Sequence, residues 1–187
     1  STFRSPIVGS PILPSGFVMR KNYMLGPNTS YFDLDLTNVN MSGVNLTNSS
    51  LNFIKSGNLT GSPVGLPTNW QMANGYLIGP STDLRGANLS GVNLSGVSLN
   101  GSKLDGVISG QITGSPNSLP TGWVLAAGYL VGPGVDLSGA NLTSANISRA
   151  SLAGVKSGNV IGSPSLPGSW RLIKGYLVGP GANLDGA

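Results

Sequence analysis

Residues 82–106 read T-D-L-R-G, A-N-L-S-G, V-N-L-S-G, V-S-L-N-G and S-K-L-D-G, which are five consecutive pentads with leucine at the third position. The first position of each is small or β-branched, and the last is glycine. A period of five fits neither an α-helix, which repeats about every 3.6 residues, nor a strand, which alternates about every two. The spacing predicts a coil that turns a corner every five residues and points one large and one small residue inward.

The same spacing recurs along the chain. Apolar residues stand every fifth position at Leu36, Met41, Leu46, Leu51, Leu84, Leu89, Leu94, Leu99, Leu104, Leu137, Leu142, Ile147 and Leu152. Two residues before most of them the chain has Val39, Val44, Ala87, Val92, Val97, Ala140, Ala145 or Ala150. Stacked coils would satisfy their backbone groups by bonding to the coils above and below, about 4.8 Å away. Only small residues would then fit beside each leucine in so narrow a core, and a terminal glycine such as Gly91 would suit the corner.

This pattern resembles the pentapeptide-repeat family, whose motif is A-[DN]-L-x-x. The resemblance covers residues 29–60, 82–114 and 130–164, with a new start at Ala182-Asn183-Leu184. It implies an all-β fold, a right-handed quadrilateral β-helix with four pentads per coil. It also implies that leucines and small residues stack as ladders in the core, while Asn, Asp, Ser and Thr face water. Asp83 and Asp136 stand at the second pentad position, which the family gives to Asp or Asn.

A longer repeat interrupts the pentads. Leu-Pro, an aromatic residue, a tyrosine and Gly-Pro follow one another four times, and each series steps by 53, 53 and 47 residues. The chain is therefore a single tandem array. Its units run roughly over residues 1–60, 61–113, 114–161 and a truncated 162–187. We expect that the array continues past residue 187, or that self-association or another protein covers that end, because an uncapped solenoid exposes strand edges and apolar ladders.

Each insert is predicted to be a β-hairpin that interrupts the solenoid. In the second copy, residues 70–72 would pair with residues 76–78 across Ala73-Asn74-Gly75, because Asn-Gly is the strongest short hairpin signal. The aromatic residues of the inserts have two interpretations. They either pack the insert onto the coil, or they form a row that binds a glycan or a protein partner. The candidate partner-binding residues are Trp70, Trp123, Trp170, Tyr76, Tyr129 and Tyr176.

Composition removes many chemistries. The chain has 29 glycines, 13 prolines and only 9% charged residues, with no cysteine and no histidine. Disulfides, zinc sites and imidazole-activated nucleophiles therefore lack their residues, and the six acidic residues are too scattered for a calcium site or a catalytic pair. No cofactor, metal or catalytic residue is predicted. The net charge of +4 is spread along the chain without a basic run, so we expect no nucleic-acid partner, and no apolar run is long enough for a membrane span.

These observations favour a non-catalytic structural protein. We expect a rigid spacer or fibre segment of an extracellular, cell-surface or virion assembly. The alternative is a binding module, which would engage a carbohydrate or a protein through the aromatic inserts, or ice through a regular hydroxyl face. Some proteins of the family mimic duplex DNA and bind topoisomerases, but such mimicry requires an acidic rod, and here ten basic residues face six acidic ones.

Overall fold

The computed structural model describes residues 2–3 and 12–185. The described residues contain no helix, and their strands are short. In chain order the strands are β1 (Thr2–Phe3), β2 (Val18–Arg20), β3 (Tyr23–Leu25), β4 (Ser30–Phe32), β5 (Ser50–Asn52), β6 (Gln71–Ala73), β7 (Tyr76–Ile78), β8 (Val124–Ala126), β9 (Tyr129–Val131), β10 (Arg171–Ile173) and β11 (Tyr176–Val178). The predicted all-β class is therefore confirmed.

Between the strands, passes of the chain about 20 residues long lie side by side, and we call each pass a coil. Parallel bridges join Asp35 to Lys55, Asn40 to Thr60 and Asn45 to Gly65. At the second of these, the Met41 amide donates to the Thr60 carbonyl (2.7 Å), and the Thr60 amide donates back to Val39 (3.1 Å). Strands β1, β4 and β5 pair in parallel in the same way. Each coil therefore satisfies the backbone groups of its neighbour.

The predicted inner positions are buried. Every one of the thirteen large apolar residues of the five-residue series is 3% exposed or less. The small residues beside them, such as Ala87, Val92 and Ala140, are also buried. Corners are made by residues with positive φ, for example Gly91 (71°) and Asn38 (63°). Glycine and asparagine adopt that conformation at lower cost than other residues, which explains the last position of the pentad.

The inserts form hairpins, and the structure corrects the predicted register by one residue. Strand β6 pairs with β7 from Gln71↔Ile78 to Ala73↔Tyr76, so Trp70 precedes the strand and only Asn74-Gly75 form the turn. Both turn residues have positive φ (48° and 76°), and such two-residue turns match the twist of paired strands. The Trp70 amide is already engaged, since it donates to the Pro67 carbonyl (3.2 Å).

Strands β2–β3, β8–β9 and β10–β11 pair in the same antiparallel manner. The chain divides into two compact units. One is Ser1–Leu84 with Gly96–Lys103 and Pro116–Ser118, and the other is Arg85–Ser95 with Leu104–Ser115 and Leu119–Ala187. The boundaries predicted for the four repeat units stay a prediction, and their outer limits, residues 1 and 187, lie outside the described residues.

The first unit has a core of its own. Tyr31 lies in it with 1% exposure, among buried residues that include Leu25, Leu36 and Met41. Its hydroxyl donates to the Gly26 carbonyl (3.0 Å) and accepts from the Gly26 amide (2.7 Å). Burial raises the pKa of Tyr31, although the hydrogen bond from the Gly26 amide opposes the shift. A buried tyrosine with its hydroxyl satisfied in this way contributes apolar area without an unpaired polar group.

Candidate functional site

The tryptophans of the inserts lie flat against glycines of the same insert. Trp70 packs on Gly79 and Trp123 packs on Gly132, and in both pairs a Cβ added to the glycine would overlap the indole ring. Trp170 packs on Gly179 in the same way and is only 5% exposed. Trp70 and Trp123 are half-buried. The indoles therefore serve the packing of the insert, and two of them keep part of their surface open to solvent.

The tyrosines of the inserts lie against a glycine of the coil. A Cβ at Gly57 would be 3.5 Å from Cε1 of Tyr76, and a Cβ at Gly110 would be 3.3 Å from Cε1 of Tyr129. Gly158 has the same relation to Tyr176 at 3.3 Å. All three rings are half-buried. A Cβ at Gly110 or Gly158 would therefore require a small shift of the ring, whereas a Cβ at Gly57 would only touch it.

Hydrogen bonds complete the docking of each hairpin. The Leu77 amide donates to the Ser56 hydroxyl (2.9 Å), and the Leu59 amide donates to the carbonyl of the turn residue Gly75 (3.0 Å). Ser109 and Ser157 accept in the same way from Leu130 (3.0 Å) and Leu177 (2.9 Å). A serine-glycine pair on the coil is thus the dock for a tyrosine-leucine pair on the hairpin. The signal in the sequence is the segment Lys-Ser-Gly-Asn, which occurs at residues 55–58 and again at residues 156–159.

A recess of about 410 Å³ opens beside the second dock. It is lined by Ile108, Tyr129, Asp136 and neighbouring residues up to Ala140. The side chain of Ile108 is 55% exposed, whereas lysine occupies the corresponding position in the other two copies. The wall of the recess therefore has an apolar side chain where the other two copies have lysine, and Tyr129, one of the candidate partner-binding residues, forms part of that wall.

An exposed aromatic pair was not predicted. Phe32 and Phe53 are both 39% exposed, and their rings meet edge to face with centroids 5.2 Å apart. The ammonium of Lys103 lies 5.7 Å from the centre of the Phe53 ring, within the range of a cation–π contact. The signal in the sequence is that phenylalanine replaces the polar or glycine residue that later pentads carry at their corners.

The polar residue before each leucine closes a turn. Oδ1 of Asn40 accepts from the Ser42 amide (2.9 Å), and Oδ1 of Asp136 accepts from the Ser138 amide (2.9 Å). The same contact recurs at Asn45, Asn88, Asn93, Asn141, Asn146 and Asn183. These side chains face outward, as the resemblance implies, but their oxygen is used to fold the corner, which explains why Asn and Asp dominate the position.

Two aspartates at this pentad position, Asp35 and Asp136, have a lowered pKa. Hydrogen bonds from Thr37, and then the charge of Lys21 at 3.3 Å, lower the pKa of Asp35 to about 2. Burial raises the pKa of Asp136, but hydrogen bonds from Ser138 and the charge of Lys156 at 3.8 Å outweigh it and lower the pKa. Both groups are about half exposed. Such shifts are those of structural turn caps and ion pairs rather than of a general base.

The family comparison agrees with this geometry. The sequence profile described as "Pentapeptide repeats" matches residues 81–108 and 133–156, with eight copies. The chain contains pentapeptide repeats. Residues 29–60 lie outside the matched segments, yet they form the same kind of parallel bridge, as at Asn40 and Thr60. Such repeats imply a β-helix-like fold and a structural repeat protein. No curated protein and no solved structure matches the chain significantly.

Two further findings concern the described part of the chain alone. Within residues 2–3 and 12–185, no group of three or more acidic, histidine or cysteine residues is placed to hold a metal ion. No helix in that part is long and apolar enough to cross a membrane.

Proposed function

We propose that this chain is a non-catalytic, rigid structural segment of a larger extracellular, cell-surface or virion assembly, and that its coils close into a right-handed quadrilateral β-helix. The observation that carries the proposal is the use of the outward polar residues. In each of them a side-chain oxygen accepts a hydrogen bond from a backbone amide and so caps a corner, as at Asp35, Asn40, Asn45 and Asp136. A surface whose polar residues hold the backbone in this way suits a scaffold more than a reaction site.

Further support comes from the inserts. Each of the three later hairpins is held by a serine hydroxyl, a turn carbonyl and an aromatic ring on glycine, as at Ser56, Gly75 and Tyr76. These contacts leave the hairpins little freedom relative to the coil on which they dock. Rigidity of both coil and insert is what a spacer requires.

Sedimentation velocity over a wide range of concentrations tests the role in an assembly. We expect species larger than the monomer to accumulate with concentration, because a segment of an assembly contacts other copies or other subunits through its surface. A chain that stays monomeric at high concentration would contradict the assembly role. An enzyme would instead be indicated by a hydrolytic turnover that a single substitution such as Asp136→Asn abolishes.

A second candidate function is binding of a glycan or protein through the inserts, supported by the solvent-exposed parts of Trp70 and Trp123. The first insert supplies a matched control, because Phe17 packs on Gly26 as the tryptophans pack on their glycines. The variant Trp70→Phe, Trp123→Phe should therefore fold normally. If it binds a glycan array or a captured partner as well as the parent chain, the tryptophans are not the binding residues.

A further inference from the structure

Charged residues of alternating sign form one column in the first unit. Parallel bridges join Asp35 to Lys55, Lys55 to Asp83, and Asp83 to Lys103. Lys21, in the turn of the first hairpin, contacts Asp35 at 3.3 Å and extends the column at one end. The order is therefore positive, negative, positive, negative, positive. We call these five residues the charge column.

The neighbouring bridges carry no such pattern. Asn40 is bridged to Thr60, and Asn45 is bridged to Gly65. In the second unit the corresponding pair is Asp136 and Lys156, whose charged atoms are 3.8 Å apart. Only 9% of the chain is charged, so the concentration of these residues on one face requires a physical reason.

Apolar burial does not by itself distinguish one register of the coils from another. The inner residues of the first coil are alike, since Leu36, Met41 and Leu46 are all fully buried. In the coil that follows, the buried residues Ile54 and Leu59 are five positions apart, and Val64 comes at the same spacing. If one pentad were extruded as a loop, that coil would close five residues later and would still offer apolar side chains at this spacing to the core. Such an error preserves the five-residue phase, and with it part of the apolar burial that stabilises the stack.

Between the Asp35 coil and the Lys55 coil, hairpin β6–β7 does not correct such an error. Hairpin β6–β7 bonds to Ser56 and Leu59, which belong to the coil that carries Lys55. If that coil shifts against the preceding one, these contacts shift with it. The corner hydrogen bonds are also local, because they join residues only two apart.

We propose that the charge column fixes the register in which successive coils of the first unit stack. In the native register each of its bridged neighbours has the opposite sign, at a spacing at which directly opposed charges attract or repel measurably. Shifting the Lys55 coil by one pentad would place Thr60 opposite Asp35, and the attraction is lost. The pKa of Asp35 is about 2, so this residue is ionised at neutral pH and the column keeps its sign pattern there.

The test uses the absence of cysteine from the chain. Asn40 and Thr60 are bridged and exposed, and bridged Cα atoms lie within the range that a disulfide can span. The variant N40C/T60C should therefore cross-link almost fully after refolding and oxidation at low salt. A coil displaced by one pentad moves the two residues beyond disulfide range and leaves the chain uncross-linked.

Two variants of the charge column are compared in the N40C/T60C chain. K55D/K103D places four acidic residues in succession, and K21D/D35K/K55D/D83K/K103D inverts every sign while keeping the alternation. We expect the cross-linked fraction of folded K55D/K103D to fall by about half or more at low salt and to recover as salt screens the repulsion, while the inverted column cross-links as the parent does. The folded fraction is measured separately by near-ultraviolet circular dichroism, so simple unfolding is not counted as a shift.

Two results would overturn the proposal. One is full cross-linking of K55D/K103D at low salt, which would mean that the sign of the charges does not set the register. The other is an inverted column that fails as badly as K55D/K103D, which would mean that the identity of each residue matters rather than the alternation.

Discussion

At the scale of single residues, glycine decides where large rings can lie. A Cβ added to Gly79 would overlap three ring atoms of Trp70, whereas Gly168 has open space around it. The sequence allowed both a packing and a binding role for the tryptophans. The structure places them on their glycines, and this pairing could not be predicted because Gly79 lies nine positions beyond Trp70, outside any local pattern.

Gly79→Ala is expected to destabilise the chain by about 2–3 kcal/mol, because the added methyl group overlaps the ring and the indole must leave its site. Urea unfolding followed by tryptophan fluorescence measures the change. Gly168→Ala is the control, and we expect its free energy of unfolding to stay within about 0.5 kcal/mol of the parent. Equal effects in the two variants would show that the ring yields easily.

Asp35 should make stability depend on pH. Its pKa is about 2 in the folded chain, below the ordinary 3.8, so its contribution is complete above about pH 4 and is lost as the pH falls toward 2. Since the group is half exposed, we expect the loss to be no more than about 1 kcal/mol. Asp35→Asn keeps the acceptor for the Thr37 amide, as Asn40 shows for Ser42. Urea titrations at pH 5 and pH 2.5 should therefore differ less for the variant than for the parent.

At the scale of elements, the turn explains the hairpins. The first turn residue has positive φ in all four described hairpins, at Lys21 (45°), Asn74 (48°), Ala127 (48°) and Lys174 (48°). Asn-Gly at residues 74–75 is a local turn signal in the sequence, whereas Ala127 and Lys174 at the equivalent position are not. The hairpins at Ala127 and Lys174 are predicted because they repeat the second copy, whereas the contacts that dock them, such as that of Leu130 with Ser109, are tertiary and are not revealed by a local pattern.

Ala127→Asn should therefore stabilise the chain by about 0.5–1 kcal/mol, since asparagine tolerates this conformation better than alanine does. Asn74→Ala is the reciprocal change and should cost a similar amount. Thermal unfolding of both variants measures the effects. If Ala127→Asn lowers the melting temperature, the turn is not limited by its backbone conformation.

Substitution of a docking serine tests how much its hydrogen bond to the hairpin stabilises the chain. Ser56→Ala leaves the buried Leu77 amide without its acceptor, and we expect a loss of about 1–3 kcal/mol. Ser42→Ala is the control, because that side chain is exposed and the Ser42 contact to Asn40 uses its backbone amide. Unfolding in urea compares the two, and a loss as large in Ser42→Ala would contradict the assignment.

At the scale of the whole molecule, the five-residue period should appear in backbone protection. The Met41 amide donates to the next coil (2.7 Å), while the adjacent Ser42 amide donates to an exposed side chain. We expect Met41 to exchange its amide hydrogen at least about 100-fold more slowly than Ser42, and Leu142 more slowly than Thr143 by a similar factor. Hydrogen exchange followed by nuclear magnetic resonance gives the rates, and uniform rates along a pentad would contradict the stacking of coils.

The inserts do not change the way in which successive coils stack. Lys55 is bridged to Asp83 across one hairpin, and Lys156 to Asn183 across another that is shorter by one residue. The chain thus leaves a coil, makes its excursion and resumes on the neighbouring coil with either length of detour. The turn at Gly168-Ser169 is exposed and lies within such a detour, and Gly168 has open space around it. It is therefore a position for grafting a foreign peptide, since residues added between two coils displace no leucine of either coil.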